Sequence, residues 1–352
     1  MKRLVAILAL FPFLMTFASA SDTPAVAKGL EIYVLDVDGG AATLVVTPEG
    51  ESILIDSGWP GHGDRDPKRI VHAIKEVAGL DHLDHLVTTH WHVDHYGGVA
   101  GLSRLVPIGH FWDRGLPGVD GPEADYPDGP KVDDPIGRDY LALSKGKRTR
   151  LRAGDVLPLK GNVRAVVLAS GTELRDPDPG SPPNPLAEPV PADQPEDRSD
   201  NARSVVLKFS LGAFDFLDCG DLTWNLEKAL VVPTDRVGPV DVYQVTHHGM
   251  DISNHPSLLR TIRPTVTIMN NGPRKGGSPT TVKRLKDVPS IEAAYQLHKV
   301  ASADPAANTD PALIANTDPK GGRFVRVIVD PDGASYKVQI DADGPERSFK
   351  SK

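Results

Sequence analysis

Cysteine is nearly absent: Cys219 is the only one in 352 residues. An intramolecular disulfide is therefore excluded, as is a structural zinc site closed by several thiolates. Basic excess is also missing. The formal charge is −8, which rules against a surface built for non-specific nucleic-acid binding. Beyond residue 20 no apolar run is long enough to span a bilayer, and no internal repeat is visible. No Ser-His-Asp or Cys-His arrangement stands out as a nucleophilic site.

The first twenty residues read differently from the rest. Lys2 and Arg3 precede an apolar stretch over residues 4–17, and Ala18-Ser19-Ala20 follows. This is the pattern of a secretory signal peptide cleaved after Ala20, so the mature protein is expected to be exported, to a periplasm or the exterior. Losing Lys2 and Arg3 moves the charge from −8 to −10. Pro12 interrupts a run that is short for a membrane anchor, and no cysteine near Ala20 offers a lipid attachment point.

Most of the chain alternates strand and helix signals. Residues 30–37, 43–47 and 52–55 read as strands, and the last runs into Asp56-Ser57-Gly58. Ile70, Val71, Ile74 and Val77 share one helical face over 67–78, with Gly79 as the stop. Leu86-Val87-Thr88-Thr89 reads as a buried strand, 99–105 as a helix and 107–112 as a strand ending at Asp113. Residues 113–150 are dense in Gly, Pro and Asp and read as loop. Within them Lys145, Lys147, Arg148 and Arg150, with Arg152 just beyond, form either a small anion-binding patch or a solvated basic loop.

A strand follows near 163–169. Eight prolines in 176–197 predict an exposed, mobile insertion. Strands at 204–209 and 214–217, a helix at 222–231, a strand at 240–245, a helix at 255–262, a strand at 265–269 and a helix at 279–285 come next. A polar stretch covers 302–321. A hairpin over 324–329 and 336–340, turned at Asp332-Gly333, closes the chain. The fold class is α/β, with one domain over 28–345.

The chemistry is concentrated at strand ends. His90-Trp91-His92-Val93-Asp94-His95 packs four nitrogen and oxygen ligands into six residues. Such a set suits zinc, with manganese or iron as alternatives. Asp218 to Asp221 and Thr246-His247-His248-Gly249 sit at two further strand ends. Loops at one edge of an α/β sheet converge on a common crevice, so these pieces can form one site. With carboxylates in the mix and no thiolates, the site reads as open and hydrolytic rather than structural. Asp56 is either a turn-forming Asp or a carboxylate that orients a metal-bound His.

Taken together, these motifs resemble the metallo-β-lactamase superfamily. His90-x-His92-x-Asp94-His95 is its signature, Ile53-Leu54-Ile55-Asp56-Ser57-Gly58 resembles its first motif, and Leu217-Asp218-Cys219-Gly220-Asp221 its later acidic one. Thr246-His247-His248-Gly249, with the stretches at 36–41 and 201–207 and the closing hairpin, is similar to the ComEC/Rec2-like branch. The resemblance implies an αββα sandwich of two mixed β-sheets flanked by helices, with two divalent ions. It implies His90 and His92 on the first ion, Asp94 and His95 on the second, and Asp221 between them. One of His247 and His248 would complete the second ion and the other would face substrate. Two departures stand out. Where many members supply a third His to the first ion, this chain has Ser199-Asp200-Asn201-Ala202, leaving Asp200, Asn201 or Asp113 to complete it. Where the branch carries His-Pro, this chain has Ser278-Pro279. The resemblance implies hydrolysis of a phosphoester or phosphodiester. The alternatives are a lactone or cyclic amide as substrate, or a non-catalytic envelope module stabilised by metal.

Overall fold

In a computed structural model, which describes residues 28–121, 128–131, 133–301 and 308–352, the chain forms two β-sheets packed face to face with helices on both outer surfaces. The signal segment and residues 302–307 of the polar stretch lie outside the described residues. The first half contributes β1 (Glu31–Val34), β2 (Thr43–Val46), β3 (Ser52–Ile55), β4 (Leu83–Thr88), β5 (Ile108–Asp113) and β6 (Arg148–Arg150). The second sheet takes β7 (Arg164–Ser170), β8 (Glu173–Leu174), β9 (Val206–Leu211), β10 (Phe214–Asp218), β11 (Val242–Gln244), β12 (Val266–Met269), β13 (Ala293–His298) and β14 (Ile314–Asn316). The chain then returns to the first sheet with β15 (Val325–Val329), β16 (Ser335–Ile340) and β17 (Arg347–Lys350). The sheet orders are β17-β16-β15-β1-β2-β3-β4-β5-β6 and β14-β13-β12-β11-β10-β9-β7-β8.

Both sheets are mixed. Strands β3 to β6 run parallel, as do β10 to β14, while the other neighbours pair antiparallel. The period of two explains the layering. Ile32 and Val34 of β1 face the second sheet, and Tyr33 and Leu35 face the helices. On β10, Phe216 points between the sheets and Leu217 points to the opposite helical layer. Phe209, Phe214 and Phe216 lie in the sandwich interior with Val87, Val167 and Val242.

The outer layer on the first sheet is α1 (Arg65–His72), α2 (Val93–Tyr96), α3 (Val99–Ser103) and α4 (Pro135–Ser144). On the second it is α5 (Trp224–Ala229), α6 (Pro256–Ile262) and α7 (Pro279–Lys286). Helix α1 continues through a wider turn to Val77, and Gly79 then takes φ +71°, the left-handed conformation expected of a helix stop. No helix among the described residues is long and apolar enough to cross a membrane.

Residues 113–150 depart from the loop expected there. Asp134 accepts hydrogen bonds from the Ile136 and Gly137 amides, Pro135 occupies the first turn, and Tyr140 is buried against Trp91 and Phe111. A window dense in Gly, Pro and Asp thus hides a capped helix. The proline-rich stretch is also tied down in part. Asn184 Nδ2 donates to the Val231 carbonyl and Thr261 Oγ1 (both 2.9 Å), and Ala187 is buried beside α6.

Phe216→Ala leaves a void between the sheets that close packing cannot fill. The variant is expected to lose about 3–5 kcal/mol of unfolding free energy, read from urea denaturation with unchanged slope.

Candidate metal centre

The parallel strands end in the loops that carry polar side chains, and the two sheets bring those loops together at one edge. Strand β3 delivers Asp56, β4 delivers Thr89 and His90, β10 leads to Asp221, and β11 leads to His247 and His248. One ligand atom each from Asp94, His95, Asp221 and His248 lies within 4.8 Å of all the others, and all four residues are buried. His95 Nε2 is 3.2 Å from Asp221 Oδ2 and 3.4 Å from Asp94 Oδ2. His248 Nε2 is 3.3 Å from the first of these oxygens and 3.2 Å from the second.

Three more histidines surround this group. His90 Nε2 sits 3.9 Å from Asp221 Oδ2, and His247 Nε2 sits 3.5 Å from it. His90 is fully buried, yet its Nε2 has no hydrogen-bond partner. An imidazole nitrogen left bare beside a buried carboxylate is costly unless a cation completes it. The donor set therefore fits divalent metal, with nitrogen and oxygen ligands throughout. His92 turns partly outward, with its ring centroid 4.8 Å from that of His90 and its Nε2 2.9 Å from Asp128 Oδ2.

Asp56 lies beside this group rather than in it. Its Oδ2 is 2.7 Å from His95 Nδ1 and accepts from Thr89 Oγ1 at 2.7 Å, and its Oδ1 accepts from the Thr89 amide at 2.8 Å. That contact fixes the ring and leaves Nε2 aimed at the cluster. Two expected extra ligands are engaged elsewhere. Asp113 accepts from Arg148, from Tyr140 Oη (2.9 Å) and from the Gly115 amide (2.8 Å), so its carboxylate is taken up at the end of β5. Asp200 pairs with the buried Arg114 and accepts from the Trp91 amide at 2.5 Å, which shapes the turn between His90 and His92. Asn201 stays within reach: its Nδ2 is 3.3 Å from His247 Nε2.

Backbone strain separates the adjacent histidines. His247 (φ 56°) and His248 (φ 53°) both adopt the left-handed conformation, at a cost of about 1–3 kcal/mol each. Their neighbours hold them there. The His247 amide donates to the Gly220 carbonyl (3.0 Å), and the Gly277 amide donates to the His248 carbonyl (2.8 Å). A Cβ on Gly276 would collide with the His248 carbonyl. As a result His248 enters the four-residue group, while His247 turns toward Asn201 and Ser253.

The charges respond to one another. Burial disfavours the Asp221 carboxylate, but His248, His95 and His247 more than offset it and hold its pKa well below the usual range. Asp94 behaves the same way against burial, through His95 and His248. Burial opposes a charged His95 too, yet Asp221, Asp56 and Asp94 push its pKa well up. For His247, burial wins and its pKa falls to about 4.

Lys275 is the residue that the sequence offered no signal for. Its ammonium pairs with Asp94 and lies 5.1 Å from the centroid of the Trp59 ring. A turn closed by the Gly272 amide on the Lys275 carbonyl (2.9 Å) places it there.

Residues 35–202 match the family model of the metallo-β-lactamase superfamily. No curated protein matches the chain significantly. Several solved structures are similar to the chain at low identity. A diphosphatase from the PhnP family is 11% identical with a TM-score of 0.40, over 76% of this chain and 95% of that one. A subclass B3 metallo-β-lactamase from a soil metagenome library is 14% identical with a TM-score of 0.36, over 77% of each. CmlA, a diiron β-hydroxylase from Streptomyces venezuelae, is 16% identical with a TM-score of 0.36, over 67% of this chain. The match spans 44% of that hydroxylase, less than half of its length.

Two outcomes test the construction of the centre. Asp56→Ala frees the His95 ring and should weaken metal binding about 10–100-fold by chelator competition, with the far-UV spectrum unchanged. Glu227 braces the His247-His248 loop from behind, accepting from the His255 amide at 2.8 Å, and burial raises its pKa to about 7. A carboxyl raised above its unfolded value loses stability as pH rises from that value, near 4.5, through about 7. Glu227→Gln should therefore gain stability over wild type at pH 8, on the order of 2–3 kcal/mol, and show none of this gain at pH 4.

Proposed function

We propose that this chain, which has the metallo-β-lactamase fold and matches that superfamily over residues 35–202, is an exported metal-dependent hydrolase with a two-metal centre. The observation that carries this reading is the convergence of Asp94, His95, Asp221 and His248 within 4.8 Å, with the bare Nε2 of His90 beside it. Asp94, His95 and His248 would hold one ion, and Asp221 would bridge. His90, His92 and His247 would hold the other. In this assignment His247 takes the place of the third histidine that residues 199–202 lack. Zinc fits the donors, as do manganese and iron. When bound, such a pair supplies Lewis acidity and water whose pKa falls toward 7.

The protein's own groups supply orientation and charge. With metal bound, Asp56, 2.7 Å from His95 Nδ1, would hold the ring proton there and leave Nε2 toward the cluster. Lys275, beside Asp94, provides a cation for an anionic substrate group, which supports a phosphoester or phosphodiester. The His247-His248-Gly249 ending supports the ComEC/Rec2-like branch within the superfamily. Export rests on the apolar leader and the Ala18-Ser19-Ala20 cleavage pattern. A second reading, hydrolysis of a lactone or cyclic amide, is favoured by the exposed apolar side chains of Val93 and Ile252 flanking the ligand residues.

Metal content and hydrolysis test this together. Wild type should bind two divalent ions per chain and cleave bis(p-nitrophenyl) phosphate in preference to nitrocefin or a lactone. Asp221→Ala should lose at least one ion and fall more than about 100-fold in kcat/KM, beyond the loss expected for a supporting residue. Fewer than two ions in wild type, with no cleavage of any of these, would sink the reading. Cleavage confined to nitrocefin or the lactone would overturn the phosphoester assignment alone.

A further inference from the structure

A cavity of about 260 Å³ is lined by Arg114, Arg150 and Arg203 with Ser170, Thr172 and Glu173. Three arginines line it in a chain of net charge −8. Their surroundings differ from those of other arginines nearby. Arg148, one strand position from Thr149, is neutralised by Asp113 (2.6 Å) and Asp120 (2.5 Å). Arg150 instead donates to the carbonyls of Arg114 (2.9 Å) and Asp120 (3.5 Å). Arg203 donates to the carbonyls of Arg198 (3.1 Å) and Ser199 (3.0 Å). These carbonyls orient both side chains without cancelling their charge. Arg114 is offset by Asp200, and Glu173 supplies the one carboxylate in the lining, so a positive balance remains.

The cavity is coupled to the centre in two ways. Asp200, the partner of Arg114, also accepts from the Trp91 amide inside the ligand motif. Arg203 and Thr172 are shared with a larger cavity of about 410 Å³, which reaches Ala202, Thr223 and Ile252. Ala202 and Ile252 are chain neighbours of Asn201 and Ser253, which contact His247, and Thr223 lies two residues beyond Asp221. The larger cavity also carries Glu196 and Asp197 in its lining, so the positive balance is confined to the smaller one.

We propose that the arginine-lined cavity is an oxyanion subsite, which takes a phosphate group carried by the substrate beyond the bond that is cleaved. Arg suits this role because its planar fork binds phosphate oxygens through paired N–H donors and stays charged at every physiological pH. The substrate part of the proposal rests on the hydrolase reading; anion binding does not.

The test separates the two. Inorganic phosphate is titrated calorimetrically into metal-stripped full-length protein, which removes binding to metal, and the Arg150 and Arg203 variants separate this cavity from the Lys275 cation at the centre. Wild type should show one saturable site. Arg150→Gln and Arg203→Gln should each weaken it about tenfold or more, with melting temperatures unchanged. In the metal-loaded protein, a nitrophenyl phosphodiester bearing an additional terminal phosphate should have a lower KM than bis(p-nitrophenyl) phosphate. The double variant should abolish that difference and leave kcat for the plain diester unchanged. No saturable phosphate binding by the stripped wild type, or equal binding by the variants, would overturn the subsite. Phosphate binding without any effect on the KM ratio would make the ligand free phosphate and overturn its assignment to the substrate. Phosphate binding by a protein that hydrolyses nothing would instead overturn the hydrolase reading and keep the anion site.

Discussion

Everything in the centre depends on how a buried Asp221 carboxylate is satisfied. An isolated carboxylate in an apolar interior costs far more than a domain's whole stability. Here four imidazoles approach one oxygen, with Nε2 distances of 3.2 Å (His95), 3.3 Å (His248), 3.5 Å (His247) and 3.9 Å (His90). They arrive from two sheets, across more than a hundred residues of sequence. The sandwich is what makes their meeting possible, because the ends of β4, β10 and β11 open onto the same edge.

The protein accepts local strain to complete this arrangement. Two consecutive histidines in left-handed conformation are unfavourable on their own. They persist because main-chain hydrogen bonds to Gly220 and Gly277 hold the loop from both sides. Glycine is needed at 276, where φ is +78° and the His248 carbonyl leaves no room for a side chain. Behind the loop, Glu227, Tyr243 and Asn254 form a buried polar support, with Tyr243 Oη donating to Asn254 Oδ1 at 3.0 Å. The cost of these buried groups is the expected counterpart of a rigid, pre-aimed ligand set.

Much of this was legible from sequence, for physical reasons. Period-two alternation of apolar residues marks strands such as β1 and β15 directly, and the dense motif at 90–95 supplies Asp94 and His95 of the candidate metal cluster. Strand β13 escaped because Ala293, Ala294 and Gln296 lack the β-branched signature, and α4 escaped because its cap sits among loop-type residues. Composition could not show that Asn184 ties part of the proline-rich segment at 176–197 to Val231 and Thr261 through single side-chain hydrogen bonds. In the site, residue type could not tell His247 from His248, since backbone φ decides where each ring points. Nor could it show that Asp113 is consumed by Arg148 and Tyr140, a pairing of residues far apart in sequence. Lys275 carried no spacing signal; only the tertiary turn around it brings its charge to Asp94.

The central claim is that one chain holds two ions bridged through Asp221. X-ray absorption at the metal edge of the reconstituted protein tests it most directly. The account predicts a first shell of nitrogen and oxygen only, outer-shell imidazole scattering, and a metal–metal vector at about 3.5–4 Å. A spectrum with no metal–metal vector at full loading, or one requiring sulfur in the first shell, would contradict it.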